Sequence, residues 1–245
     1  MKTIVTFLAI VAMSAAVELP PSLKTCRRSD PQYSQCLNAA VPVFIKSLSA
    51  GLRSFKVLPI EPLAVDSVKI GESTGPVSVK QAYHNIKLHG LTRGLEVTNY
   101  RIDFNKLILT SESYNPQVDF VADYELDGQV LVLPIHGKGR SNITMIGLHA
   151  KSTIYCDTYV KDGETYLRIK KYDIKFNPDS VRMHFGNLFD GDNALAAQMN
   201  TFIAQNSELL FKELQPPYEE TFGLVFAKLG NEVFSRIPMN KLFPE

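Results

Sequence analysis

One serine of this chain lies in the pattern that α/β-hydrolases use for their nucleophile. Residues 71–75 read Gly-Glu-Ser-Thr-Gly and match Gly-x-Ser-x-Gly, so Ser73 could attack an ester carbonyl. Such a nucleophile needs a strand before it and a helix after it, because that strained turn exposes the hydroxyl and supplies a backbone donor for the oxyanion. Pro76 and the alternating residues 77–80 predict a second strand instead. We therefore interpret the segment as a β-turn and keep a secreted lipase-like esterase that uses Ser73 as the alternative function.

The histidines and acidic residues do not form a metal-binding pattern. His84 and His89 are five positions apart, so they would point to opposite faces of a strand and would miss the favoured step of a helix. Residues 190–193 (Asp-Gly-Asp-Asn) resemble the start of a calcium loop but lack its later ligands, and they fit a helix cap better. Residues 137–139 (Gly-Lys-Gly) are too short for a phosphate-binding loop and are expected to form a turn. We expect no metal, no cofactor and no catalytic residue.

The start of the chain is typical of a secretory signal peptide. Lys2 is followed by a ten-residue apolar run from Ile4 to Met13 and then by the small residues Ser14, Ala15 and Ala16. A run of this length spans roughly half of the ~30 Å hydrocarbon core of a bilayer, so it does not predict a membrane anchor. We predict a signal peptide over residues 1–16, a mature chain from Val17, an extracellular protein and no stable membrane insertion.

Export to an oxidising compartment favours a disulfide between Cys26 and Cys36. On one helix the two Cα atoms would be about 15 Å apart, which exceeds the roughly 7 Å that a disulfide allows. Asp30 and Pro31 are typical of a helix start, so Cys26 can fold back beside the first turns that carry Cys36. Cys156 is then unpaired and is expected to be a small buried residue of a strand.

Charge and a glycosylation sequence also bear on the environment of the protein. Lys and Arg number 26 against 25 Asp and Glu, a net charge of +1, and loss of residues 1–16 removes only Lys2. The formally neutral mature chain does not favour a nucleic-acid partner. Asn142-Ile143-Thr144 is an acceptor sequon, so we predict glycosylation of Asn142.

Hydrophobic periodicity predicts a helix, then many strands. Apolar residues from Pro31 to about Arg53 recur with helical spacing, with Pro42 as a kink. From Val118 to Leu126 apolar and polar residues alternate, which indicates a strand with one buried face. Residues typical of turns separate this run from similar ones at 115–116, 137–139, 162–163 and 177–178.

Helical spacing returns near the end of the chain. It begins after Asp192, is expected to break at residues 215–217 (Gln-Pro-Pro), and resumes in a last helix that ends near Arg236. No repeat or flexible linker divides the chain. The order predicts an α+β fold in which helices pack on a long antiparallel sheet.

Blocks along the chain form an ordered set of motifs. They are Cys26 with Cys36, residues 124–139 (YELDGQVLVLPIHGKG), residues 200–203 (NTFI), residues 214–216 (LQP) and residues 242–244 (LFP). In order and spacing the set resembles the insect Takeout and juvenile-hormone-binding protein family. Two departures argue against juvenile hormone itself as ligand: Ser207 stands where many members have Trp, and Cys156 lacks a second partner.

The resemblance implies a curved antiparallel sheet wrapped around a long helix, enclosing an apolar tunnel in one domain over residues 17–245. It supplies no catalytic residue, and family members are often under circadian or feeding control. We therefore predict a secreted, monomeric carrier of one small elongated hydrophobic ligand, such as a lipid or terpenoid hormone. Tyr124 could offer its hydroxyl to a polar end of that ligand. The residues expected to line the tunnel lie on apolar faces: Phe44, Leu48, Phe120, Ala122, Tyr124, Leu126, Ile146, Leu148, Met199, Phe202, Phe222 and Phe226.

Overall fold

The computed structural model describes residues 19–20, 23–71 and 75–245. The predicted signal peptide (residues 1–16), the predicted mature start at Val17, and Ser73 all lie outside the described residues. In the part of the chain that is described, no helix is long and apolar enough to cross a membrane.

Seven strands form one antiparallel sheet. Its spatial order is β1-β2-β4-β5-β6, with β3 paired to β4 and β7 paired to β5. The two longest strands pair with each other along almost their whole length and form the spine of the sheet. In chain order the strands are β1 (Leu63–Ile70), β2 (Val77–His89), β3 (Glu96–Asp103), β4 (Ile108–Val130), β5 (Leu133–Lys161), β6 (Glu164–Asn177) and β7 (Ser180–Phe185).

Helices cover the inner face of this sheet. They are α1 (Tyr33–Ser47), α2 (Asn193–Gln205), α3 (Ser207–Phe234) and the short α4 (Met239–Leu242). The long helix α3 packs mainly on β6 and has buried residues at both ends and at its centre, for example Leu210, Phe222 and Val233. The predicted α+β fold with a long helix against a curved antiparallel sheet is confirmed.

The predicted disulfide and the predicted cap of α2 are also confirmed. Cys26 and Cys36 are bonded with their Cα atoms 5.9 Å apart, and Cys156 is free and half-buried. Asp192 caps α2, because its carboxylate accepts hydrogen bonds from the next backbone amides. The first helix is shorter than predicted: it begins at Tyr33, and Asp30 instead accepts the amide of Gln32 at 2.8 Å in the preceding turn.

The expected break at the two prolines of the last helical region is wrong. The helix α3 continues through Pro216 and Pro217, and the chain instead breaks at Asn206, between α2 and α3. Side chains beside the prolines fix the helix to β6: Gln215 donates to the Phe176 carbonyl at 2.7 Å. Because these contacts hold the helix to the sheet, the backbone hydrogen bonds that proline removes do not end it.

Two of the predicted turns are also wrong. Residues 115–116 lie inside β4 and residues 137–139 lie inside β5, whereas 162–163 connect β5 and β6 as expected. The turn predicted at 177–178 is displaced by one residue, because Asn177 ends β6 and residues 178–179 connect it to β7. Gly139 allows its backbone to lie close to that of Gly186, because a Cβ at this position would collide with the carbonyl oxygen of Gly186. Turn-forming residue types therefore mark irregularities within these strands.

Candidate functional site

An internal cavity of about 330 Å³ lies between α1, the inner face of the sheet and the second half of α3. We call it the main cavity. Among the described residues that line it, only Lys24 is charged, and this lysine is exposed, so it marks where the wall reaches the surface. The helices and the C-terminal segment supply bulky apolar walls, including Val41, Phe44, Leu48, Phe226, Val233 and Phe243.

Small side chains on β4 and β5 leave the space open. Ser111 of β4 is paired with Ser152 of β5, and Ser113 is paired with Ala150. All of these residues line the main cavity. Large side chains at these positions would fill the space between the sheet and the helices. A cross-strand patch of serine and alanine therefore leaves a recess beneath the helices.

In β4 and β5 the alternation of inward and outward side chains shifts by one residue at the same place. Along β4, cavity-lining positions step from Asn115 to Val118, a step of three instead of two. Pro116 lies within this step, opposite Gly147 of β5, which has a φ of 58°. A Cβ at Gly147 would collide with the carboxylate of Asp179, which lies in the turn between β6 and β7. The pairing register between the strands is the same on both sides of this irregularity, so both strands shift their inward faces at one place.

This shift decides which β5 side chains face inward. Met145 and Leu148 line cavities, whereas the half-buried Ile146 does not. Unbroken alternation would have placed Ile146 and Leu148 on one face. The irregularity at Gly147 thus places Met145 instead of Ile146 in the wall.

Apart from Lys24 at its edge, the polar side chains that line the main cavity are neutral. The Tyr172 hydroxyl and the Ser152 hydroxyl are hydrogen-bonded at 3.1 Å. Burial raises the pKa of Tyr172 and of Tyr100, another wall residue, above the ordinary tyrosine value. Both phenols therefore remain protonated at physiological pH, and the wall offers hydroxyl groups without charge.

Aromatic side chains close the inner end of the main cavity. Phe222 of α3 lies at their centre, with its ring centroid 5.8 Å from that of Phe120 and 6.1 Å from that of Phe226. Edge-to-face pairs such as Phe120 and Phe222 are favourable contacts, so this partition is a stable part of the core.

Two smaller cavities of about 40 Å³ each follow the partition along α3. We call the first the middle cavity; Val118, Phe120, Met145, Tyr218 and Phe222 are among its lining residues. The second is the distal cavity, whose lining includes Val79, Gln81, Leu126, Met183, Leu214 and Tyr218. Phe226 lines both the main and the middle cavity, and Tyr218 lines both the middle and the distal cavity. The three cavities are therefore successive chambers with shared walls.

A buried polar cluster stands at the junction of the middle and distal cavities. The hydroxyls of Tyr83 and Tyr218 are 2.7 Å apart, and each lies within hydrogen-bond distance of Gln81 Oε1, at 2.8 and 2.9 Å. All three residues are buried. Gln81 and Tyr83 point inward from β2, and Tyr218 reaches them from α3, so the cluster joins sheet and helix.

A larger depression of about 620 Å³ lies at the surface, but its chemistry differs. Lys69, Lys80, Glu125, Asp127 and Lys138 are among its lining residues, and their side chains are exposed. Such a surface suits water and ions. The three successive cavities are therefore the better candidates for an apolar ligand.

The structure places the predicted lining residues in two groups. Phe44, Leu48, Leu148 and Phe226 line the main cavity, Phe120 and Phe222 the middle cavity, and Leu126 the distal cavity. Ala122, Tyr124, Ile146, Met199 and Phe202 line none of the three. The Tyr124 hydroxyl donates to the Gly186 carbonyl at 2.8 Å, so it is used within the protein.

Sequence reasoning missed the polar and small residues of the site. Gln81, Tyr218 and the serines of β4 and β5 were absent from an expectation built on large apolar side chains. A signal does exist: Ser111 and Ser113 occupy alternate positions of a strand whose other inward residues are mostly apolar. Asn142, the predicted glycosylation site, is exposed on β5, and its modification stays a prediction.

Comparisons with known proteins agree with this architecture. A family model described as haemolymph juvenile hormone binding protein matches residues 4–244. The circadian clock-controlled protein daywake of Drosophila melanogaster is 26% identical over 239 residues, covering 94% of this chain and 90% of that protein. Daywake of Drosophila yakuba is 26% identical over 238 residues, with 94% and 90% covered. The crystal structure of Takeout 1 from Epiphyas postvittana superimposes with a TM-score of 0.76 at 22% identity, over 90% of this chain and 99% of its own.

Proposed function

The chain belongs to the haemolymph juvenile hormone binding protein family, and from that premise we propose that it is a secreted carrier of one elongated apolar molecule. The observation that supports this role is the main cavity, a space of about 330 Å³ whose described lining is uncharged except for Lys24 at its edge. Ligand pockets for small molecules have volumes of about 300–1,000 Å³ and are mostly apolar.

The driving force of the proposed binding is removal of ligand hydrocarbon from water. Burial stabilises by about 25 cal/mol per Å² of apolar surface. The hydroxyls of Tyr172 and Ser152 share a hydrogen bond, so each has a partner beside an apolar ligand. Binding without chemical conversion is the proposed role, since the described lining of the main cavity holds no carboxylate and no imidazole.

Secretion and regulation form the finer part of the proposal. A signal peptide over residues 1–16 would deliver the chain to the compartment in which the Cys26–Cys36 disulfide forms. The Drosophila relatives are named as circadian clock-controlled, so the proposal includes rhythmic expression, which sampling of the transcript through a day tests.

Native mass spectrometry of the protein purified from its own source tests the carrier function. We expect a complex with one bound lipid that organic extraction removes, and an N-terminus at Val17. The extracted protein should then take up the apolar fluorophore N-phenyl-1-naphthylamine. A protein that carries no lipid and does not bind this fluorophore would contradict the proposal.

A further inference from the structure

The turn between β4 and β5 exposes three consecutive apolar side chains. Leu131, Val132 and Leu133 are 40%, 85% and 39% exposed. The neighbouring residues Gln129 and Pro134 are also exposed, and neither carries a charge. Removal of apolar surface from water is favourable, and a continuous exposed apolar patch marks a place of contact with a partner or a membrane. The turn is therefore a candidate contact surface.

The backbone of this turn does not suit the residues that form it. Leu131 has a φ of 58°, in the left-handed region that favours glycine. The turn at the other end of β5 uses favoured residue types instead, because Asp162 and Gly163 have φ values of 52° and 78°. The same strand thus begins at an apolar turn of unfavoured residues and ends at a polar turn of favoured ones. Strained backbone and exposed apolar side chains occur together in the first turn, which indicates that its side chains serve a contact.

Charged side chains begin only behind the apolar turn. None is present in residues 128–135 or in residues 75–79, which lead into the adjacent strand β2. The first charged pair consists of Lys80 of β2 and Asp127 of β4, which are cross-strand neighbours. Asp127 and Leu131 are four positions apart, or about 13 Å along a strand. Elements bound at a bilayer surface enter it by about 5–10 Å, so the uncharged end is long enough to do so without burying a charge.

The polar groups of the turn favour lipid over a protein partner. The side chains of residues 130–135 (VLVLPI) contain no hydrogen-bond donor or acceptor. Protein interfaces form about one hydrogen bond per 100–200 Å² of buried area, and these side chains could supply none. The backbone amide of Leu131 already donates to the Pro76 carbonyl at 2.7 Å, and Val130 pairs with Leu133 across the hairpin. These backbone groups can therefore leave water, as hydrocarbon requires.

The apolar turn also adjoins the row of cavities. Val77, Val130 and Ile135 line the distal cavity, and Val130 directly precedes the exposed Leu131. Apolar surface therefore continues from the outside of the turn to the lining of the distal cavity. A bilayer in contact with the turn would lie next to the end of the cavities.

We propose that the β4–β5 turn docks the protein reversibly on an uncharged phospholipid bilayer, with Leu131, Val132 and Leu133 in contact with lipid hydrocarbon. Exchange of the ligand at this place is a part of the inference that rests on the proposed carrier function, whereas the docking itself does not. Three side chains give weak and reversible attachment, because even one long acyl chain anchors a protein only marginally. The first charges behind the turn have both signs, so anionic lipid is not required.

Flotation of the full chain with phosphatidylcholine vesicles tests the docking. The double variant Leu131→Gly/Val132→Ser should bind these vesicles at least tenfold more weakly, which corresponds to about 1.4 kcal/mol. Its free energy of unfolding should be unchanged or higher, because glycine suits the backbone at this position. Val160→Ser is the matched control: it removes a valine that is 72% exposed beside the polar turn at the other end of β5. This control should bind as the unmodified protein does.

A fluorescent reporter tests which side chains meet the lipid. The chain contains no tryptophan, so Val132→Trp supplies a single one. Its emission should shift to shorter wavelength when phosphatidylcholine vesicles are added, and lipids brominated along their acyl chains should quench it. Val160→Trp should show neither change.

Absence of flotation together with an unshifted emission of Val132→Trp would overturn the inference. Flotation that persists in the double variant would also overturn it, and so would binding only to vesicles that contain phosphatidylserine, because charge would then carry the attachment. Uptake of N-phenyl-1-naphthylamine in the absence of vesicles reports the carrier function separately. A protein that takes up this fluorophore and does not dock would therefore contradict the docking alone.

Discussion

Substitution of two buried alanines on neighbouring strands can distinguish a cavity from close-packed core. Ala150 of β5 lines the main cavity, whereas Ala122 of β4 is 1% exposed and lines none of the three cavities. We expect Ala150→Phe to place its ring in the cavity and so to weaken binding of N-phenyl-1-naphthylamine about tenfold, or about 1.4 kcal/mol. Its free energy of unfolding should be nearly unchanged. Fluorescence titration and chemical denaturation measure both quantities.

The matched variant Ala122→Phe should show the opposite pattern. Added volume in close-packed core costs about 1–3 kcal/mol, so this variant should be destabilised. The sequence analysis predicted that Ala122 lines the tunnel, whereas in the structure Ala150 lines the main cavity and Ala122 does not. Equal effects of the two substitutions on stability would mean that the main cavity is not open space at Ala150.

The free thiol of Cys156 should react slowly. Burial, and to a lesser extent the charge of Asp157, raise its pKa from 9.0 to about 11. Because only the thiolate is nucleophilic, the reactive fraction at pH 8 is roughly 100-fold lower than for a thiol of pKa 9.0. We expect alkylation by iodoacetamide, followed by mass spectrometry, to be slow at pH 8 and to accelerate until the pH reaches about 11. The chain unfolded in guanidinium with its disulfide intact is the control, and an equal rate in both states at pH 8 would refute this assignment.

At the scale of elements, α3 contains two prolines, and its contacts with β6 keep it helical in spite of them. Pro216 is exposed, so its replacement disturbs no packing. A proline inside a helix costs about 3 kcal/mol, and its restriction of the unfolded chain returns about 0.4–1 kcal/mol. We expect Pro216→Ala to raise the free energy of unfolding by about 2 kcal/mol in a denaturant titration.

A proline outside any helix provides the comparison for α3. Pro178 lies in the turn between β6 and β7, and Pro178→Ala should give no gain in stability. Destabilisation by Pro216→Ala would show instead that the ring supports a helix geometry that the packing requires.

These elements also show what the sequence could predict. The alternation from Val118 to Leu126 identified a buried face correctly, because side chains in a regular strand follow the backbone period. Pro116 and Gly139 led to wrong predictions of turns. The residue types that form turns also occur at strand irregularities and at close backbone approaches, and these depend on a neighbouring strand or loop. The cavity was harder still: its floor consists of small residues whose meeting depends on the register of β4 with β5.

At the scale of the whole molecule, charge and cavity are separated. Ion pairs such as Arg168 with Asp157 lie on the exposed outer surface, whereas Lys24 is the only charged residue among the described lining of the main cavity. Since salt screens charge and leaves apolar burial largely intact, the dissociation constant of N-phenyl-1-naphthylamine should change less than about twofold between about 0.05 and 0.5 M NaCl. Fluorescence titration measures it, and a steep loss of affinity with salt would show that charge carries the binding.

The facing pair Pro116 and Gly147 makes the protein sensitive to a kind of mutation that substitution does not imitate. Each strand needs its extra residue at this place for the inward faces on both sides to be apolar. Loss of one residue from β4 alone, by an in-frame deletion of a single codon, would turn one half of that strand inside out against an unchanged partner. Matched deletions in both strands would restore pairing. Across related genes, we therefore expect codon losses and gains here to occur in pairs or not at all, which an alignment of their coding sequences can test.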